Sequence, residues 1–139
     1  MVDLPLTGGC LCGGVRYELD AIPVVAGYCH CTRCQRRTGS GSAVSALIVP
    51  GSLRVTAGEE LLGSFDPADG WSKVFCSGCG SALWAQNPDD EGVKFVRMGT
   101  FDSDPGVRPS YHQFTAYAAP WEPIPDDGLP HYSERRPPS

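Results

Sequence analysis

Gly9-Cys-Leu-Cys-Gly-Gly-Val-Arg-Tyr17 and Phe75-Cys-Ser-Gly-Cys-Gly80 hold the two close cysteine pairs on which the fold of this 139-residue chain turns. A closed structural zinc site takes four ligands in a tetrahedron, commonly as two such pairs that the fold brings together. In the second pair, glycines allow the tight turn that points backbone N–H groups at the sulfurs. In the first, the i, i+2 spacing sets both thiols on one side of extended backbone. Cys10, Cys12, Cys76 and Cys79 are therefore expected to close a four-cysteine zinc site around which the sheets pack.

Outward from these pairs the chain reads as short strands. Val15, Tyr17 and Leu19 alternate with Arg16 and Glu18, which suits a half-buried strand over residues 14–19. Residues 42–49 form a second strand candidate, stopped by Pro50-Gly-Ser52, and residues 53–56 read as its hairpin partner. Residues 61–65, 71–75, 82–85, 93–98 and 111–117 are further apolar or aromatic runs between Asp-Pro, Asp-Gly and Asn-Pro breaks. Seventeen glycines and thirteen prolines favour turns over long helices. The expectation is a mainly β fold of small antiparallel sheets around a structural zinc. One short helix belongs to the second cysteine cluster: Thr32 and Gln35 have capping-box spacing, and Gly39 ends the helix after Thr38. A single domain is expected over residues 1–132, with a flexible tail at 133–139. Phe75, Trp84 and Trp121 are expected in the core.

A net charge of −5 with only two lysines, Lys73 and Lys94, offers no general attraction for phosphate backbones or anionic lipid, so nucleic acid and membrane are not expected partners. No apolar run approaches the roughly 20 residues of a membrane span, and the first residues show no secretory leader. A cytoplasmic protein is expected. There, seven cysteines, an odd count, point to metal or thiol chemistry rather than disulfides. Dinucleotide and phosphate-binding glycine motifs, His-Glu-x-x-His and Gly-x-Ser-x-Gly are all missing from the sequence.

Beyond the two pairs stand Cys29, Cys31 and Cys34, three ligands with no fourth in the same segment. Three protein ligands and one open position are the arrangement of a catalytic zinc. Cys34 falls in the first turn of the expected helix, whose N-terminal partial charge lowers a thiol pKa, as would Arg33, Arg36 and Arg37. These arginines point to an anionic thiol compound as ligand, with Arg36 and Arg37 as candidate substrate contacts. Four competing readings stand beside these, the first a zinc- and thiol-binding module without catalysis. Cys31-Thr-Arg-Cys34 is also the pattern of a dithiol redox motif, His30 or His112 could close the trio into a structural site, and Arg36 and Arg37 could form a solvated helix face. His30 lies between ligands on extended chain and is expected to point away from them.

The three-part cysteine pattern resembles the glutathione-dependent formaldehyde-activating enzyme family, which includes centromere protein V. The resemblance rests on the two stretches quoted first, on Cys29-His-Cys-Thr-Arg-Cys-Gln-Arg-Arg-Thr-Gly39, and on Ala119-Pro-Trp121 with Leu129-Pro-His-Tyr132. It implies a β-rich fold with two zinc ions, one structural on Cys10, Cys12, Cys76 and Cys79 and one catalytic on Cys29, Cys31 and Cys34. The implied activity is that of a carbon–sulfur lyase which condenses glutathione with formaldehyde to S-hydroxymethylglutathione. A small thiol and a small aldehyde would then be its partners.

Overall fold

The computed structural model describes residues 2–138. Met1 and Ser139, the outermost residues of the expected domain and tail, lie outside the described residues. In chain order the strands are β1 (Leu6–Gly9), β2 (Arg16–Leu19), β3 (Val25–Cys29), β4 (Ala43–Leu47), β5 (Leu53–Ala57), β6 (Leu62–Phe65), β7 (Ser72–Cys76), β8 (Ala82–Asn87), β9 (Asp90–Arg97) and β10 (Pro109–Gln113). A seven-residue helix, α1 (Thr32–Thr38), follows β3. Strands β1-β2-β5 make a three-stranded sheet, and β10-β3-β4-β9-β8-β7-β6 make one of seven. The pairing is antiparallel throughout except at β10/β3, where it is parallel. The chain is mainly β, as its turn-rich composition predicts.

The two-residue period of a strand decides what each face of the large sheet meets. Val74 on β7, Trp84 on β8 and Val96 on β9 join Tyr17 and Leu19 of β2 and Leu6 of β1 in one buried cluster, which glues the two sheets together. Their neighbours Lys73, Ala85, Phe95 and Arg97 point the other way and line a cavity. Tyr17 is fully buried, its ring edge-on to Trp84 at 6.2 Å and its hydroxyl 2.6 Å from Thr100 Oγ1. Burial pushes its pKa up to about 12.

On the cavity face of β3 the ring of Tyr111 lies over Gly27, where a Cβ would fall 2.2 Å from Tyr111 Cζ. Gly27→Ala is therefore expected to pry β10 from β3 and destabilise the fold by about 1–3 kcal/mol, the usual cost of overpacking. A lower urea midpoint with unchanged slope is the expected result.

The structure departs from the sequence reading in three places. β4 and the segment after Pro50-Gly-Ser52 do not form a hairpin: the turn carries the chain between sheets, and β5 pairs with β2, Leu53 opposite Leu19. The run at 111–117 stops being strand at Gln113, because Phe114 takes a left-handed conformation (φ 56°) and a 3-10 turn, Thr115–Tyr117, follows. Trp121 is 65% exposed, whereas Trp84 is buried. Residues 130–136 run beside β10, with Tyr132 N–H donating to His112 O (2.8 Å) and Phe114 N–H to Glu134 O (2.9 Å).

Candidate metal centres and cavity

The four outer cysteines meet where the two sheets end. Cys10 and Cys12 follow β1, Cys76 closes β7, and Cys79 sits in the next turn. All four sulfurs lie within 4.8 Å of one another, with Cys10–Cys12 at 3.5 Å and Cys12–Cys76 at 3.9 Å. Tetrahedral zinc with Zn–S of about 2.3 Å requires sulfur–sulfur edges of about 3.8 Å, so the set has the right size. The turns aim N–H groups at the sulfurs, Val15 N at Cys10 Sγ (3.2 Å) and Gly14 N at Cys12 Sγ (3.4 Å). The Ser81 hydroxyl and backbone N–H draw the Cys79 pKa down to about 5, favouring the thiolate a metal needs.

Cys29, Cys31 and Cys34 also converge within 4.8 Å, at the end of β3 and the start of α1. The helix is capped one residue earlier than the Thr32/Gln35 spacing predicts. Cys31 is the N-cap, its Sγ accepting from Cys34 N–H at 3.3 Å, while Gln35 donates to His30 O and Tyr117 O instead of reaching back. Gly39 ends the helix in the left-handed region, as predicted. The cap moves the charge. Hydrogen bonds from Cys29 and Cys34 and the backbone N–H groups pull the Cys31 pKa down to about 2. Cys29 is pushed up, first by its bond to that thiolate. Cys34, expected to be the ionised thiol of the helix start, is raised: its bond with Cys29 lowers it, but Cys31 and burial outweigh that.

This trio forms part of the wall of a cavity of about 740 Å³. Arg33, Lys73, Arg97, Arg135 and Arg136 line it against a single acid, Asp69, although the whole chain is acidic. Arg33 is paired with Asp69 at 2.8 Å, and Arg136 lies 4.9 Å over the Tyr111 ring. Arg97 gives one N–H to Ser45 Oγ (2.9 Å) and keeps a buried Nε without a partner among the described residues. Burial lowers the Lys73 pKa. Phe95, Trp71 and Phe114 supply an apolar side. The arrangement suits an anionic ligand with an apolar stem and a sulfur or oxygen to present to a metal.

Arg36 is exposed, and Arg37 lies 5.8 Å over Phe75; neither is among the cavity-lining residues, which the helix reaches through Arg33 and Cys34. His30 points away from the sulfurs and meets His112 Nδ1 at 2.9 Å, so neither histidine completes the trio. Arg97, Arg135 and Arg136 escaped the sequence reading. The Arg135-Arg136 pair is the basic step of the last segment and could have drawn notice, but its long reach to the cavity leaves no spacing signal.

Three comparisons bear on this geometry. The family model described as glutathione-dependent formaldehyde-activating enzyme matches residues 5–117. A Halomonas elongata protein named "Putative glutathione-dependent formaldehyde-activating enzyme" is 30% identical over 108 residues, covering 71% of this chain and 67% of that protein. A crystal structure of a Rhodobacter sphaeroides protein is similar with TM-score 0.58 and 26% identity, covering 70% of this chain and 89% of that one.

Proposed function

Because the chain belongs to the glutathione-dependent formaldehyde-activating enzyme family, we propose that it is a zinc-dependent carbon–sulfur lyase acting on glutathione adducts of formaldehyde or another small aldehyde. In the forward direction the thiol sulfur bonds the carbonyl carbon, the C=O pair moves to oxygen, and the thiol proton ends on that oxygen. The product is S-hydroxymethylglutathione. The observation that carries this reading is the sulfur trio in the wall of a cationic cavity.

Cys29, Cys31 and Cys34 would hold a zinc with one open position, and Cys10, Cys12, Cys76 and Cys79 a closed one, two ions per chain. The open ion would supply Lewis acidity and a site for a thiolate or an aldehyde oxygen. The chain's own residues do the positioning. Arg97, Arg135 and Arg136 attract the carboxylates of glutathione, and Phe95 and Phe114 shield the reacting end from water. Lys73, half-buried with its ammonium donating to Trp71 O at 2.8 Å, is the proton donor we assign to the nascent hydroxyl.

Orientation is the stronger lever. Lowering a thiol pKa raises the thiolate fraction but weakens each thiolate, with a Brønsted slope of about 0.4–0.5, whereas well-placed partners recover about 7–11 kcal/mol in favourable cases. The seven free cysteines and this thiol chemistry support a cytoplasmic, reducing location.

The deciding experiment follows free formaldehyde in the presence of glutathione. Loss faster than in a protein-free control, in proportion to protein, is expected, and equal rates at several protein concentrations would overturn the proposal. Arg135→Ala with Arg136→Ala should raise KM for glutathione about tenfold, equivalent to about 1.4 kcal/mol, and leave KM for uncharged 2-mercaptoethanol unchanged. The difference should shrink as salt screens the exposed guanidinium of Arg135.

A further inference from the structure

We infer that His112, Asp127 and His131 form a third metal site, for a divalent first-row transition ion with Zn²⁺ foremost, on the face of the large sheet opposite the cavity. Strand alternation separates the two places. Tyr111 and Gln113 of β10 and Gly27 and Cys29 of β3 line the cavity, while His112, between the first two, is buried on the other side and stacks on Tyr28 at 4.7 Å.

Backbone pairing brings the second imidazole alongside. His131 forms a parallel bridge with His112, flanked by His112 N–H donating to Pro130 O (2.9 Å) and Tyr132 N–H donating to His112 O (2.8 Å). Bridged residues of adjacent strands project to one side, and the two rings stand edge to face with centroids 4.9 Å apart. Asp127 reaches both: Oδ2 is 2.8 Å from His112 Nε2 and Oδ1 is 3.9 Å from His131 Nε2. Leu129 N–H donates to Asp127 Oδ1 at 3.1 Å and fixes the carboxylate.

All three ligand atoms lie within 4.8 Å of one another. Metal–ligand bonds of about 2.0–2.2 Å imply tetrahedral donor separations of about 3.3–3.6 Å, between the measured spacings of 2.8 and 3.9 Å. Two imidazoles and one carboxylate suit zinc, iron, cobalt or nickel rather than calcium or magnesium, which prefer all-oxygen shells. The outer support is present as well. His112 Nδ1 faces His30 Nε2 at 2.9 Å, so a proton kept at Nδ1 frees the Nε2 lone pair and fixes the ring. His131 and Asp127 are part-exposed, which leaves the ion a way in.

An ion there would pin residues 127–131 to β10, just before the arginines that reach the cavity. The test counts metal in the full chain and does not depend on the reaction proposed above. After dialysis against Zn²⁺ under reducing conditions, the wild type should hold one more zinc per chain than His131→Ala or Asp127→Asn, whatever number the cysteine clusters take up. The imidazole nitrogen resonances of His112 and His131 should shift as that last equivalent is added. Equal zinc counts in wild type and His131→Ala, or imidazole resonances indifferent to the last equivalent, would overturn the site.

Discussion

Cys76→Ser is expected to abolish the fold: little soluble protein, no cooperative urea transition, and loss of the closed metal site. Cys76 is fully buried at the end of β7, and its sulfur stands 3.9 Å from Cys12, which belongs to the turn after β1. A metal held by the four sulfurs would therefore rivet the three-stranded sheet to the seven-stranded one at one end of their common core. Structural zinc sites contribute about 10–16 kcal/mol in small peptides, as much as or more than the roughly 5–15 kcal/mol of net stability of a whole domain. A serine hydroxyl is a poor replacement, since it does not ionise at neutral pH, and it would leave a polar group among Val74, Leu83 and the remaining thiols. Prolonged treatment of the wild type with a chelator should give the same loss of the transition. A Cys76→Ser chain that unfolds cooperatively near the wild-type midpoint, with undiminished metal, would mean that the four cysteines are ordinary core residues.

How much of this was legible in the sequence depends on the range over which each signal acts. The strand around Tyr17 announces itself by local alternation, the one ending near Phe75 by an apolar run between turn breaks, and the helix stop at Gly39 by a residue that tolerates a left-handed φ of 67°. The cysteine groups were legible because close spacing survives any long-range fold. What failed was pairing. Nothing in residues 42–56 says that the Pro50-Gly-Ser52 turn changes sheets instead of reversing within one, because the partner that decides it, Leu19, is distant in sequence. The N-cap differs from the Thr32 that the spacing predicts for a chemical reason: a thiol is an unusual cap, yet Cys31 is the residue whose extended backbone (φ −65°, ψ 156°) precedes the helix. The cavity's charge was illegible for the same reason as the sheet order. Lys73, Arg97 and Arg136 share a wall only after β7, β9 and the last segment have been folded onto it.

That cap makes Cys31→Ser the substitution that separates catalysis from folding. Serine is among the best N-caps, so its hydroxyl can accept the Cys34 N–H that the Cys31 sulfur now accepts at 3.3 Å, and α1 should persist. Cys31→Ala, which cannot cap, should cost about 1 kcal/mol more. In both variants the trio falls to two sulfurs, Cys29 and Cys34, and loses the thiolate that carries its charge most readily, with a pKa held down to about 2 by the other two thiols and by backbone N–H groups. The expected outcome is one metal ion fewer per chain, a cooperative transition retained, and acceleration of the glutathione–formaldehyde reaction reduced at least about a thousandfold. That factor corresponds to about 4 kcal/mol, well inside what orientation supplies. The fall should appear in kcat, because the cationic wall proposed to gather glutathione is untouched. Near-normal turnover in a Cys31→Ser protein lacking that ion would exclude the trio as the centre of the reaction and leave the cavity a thiol-binding site.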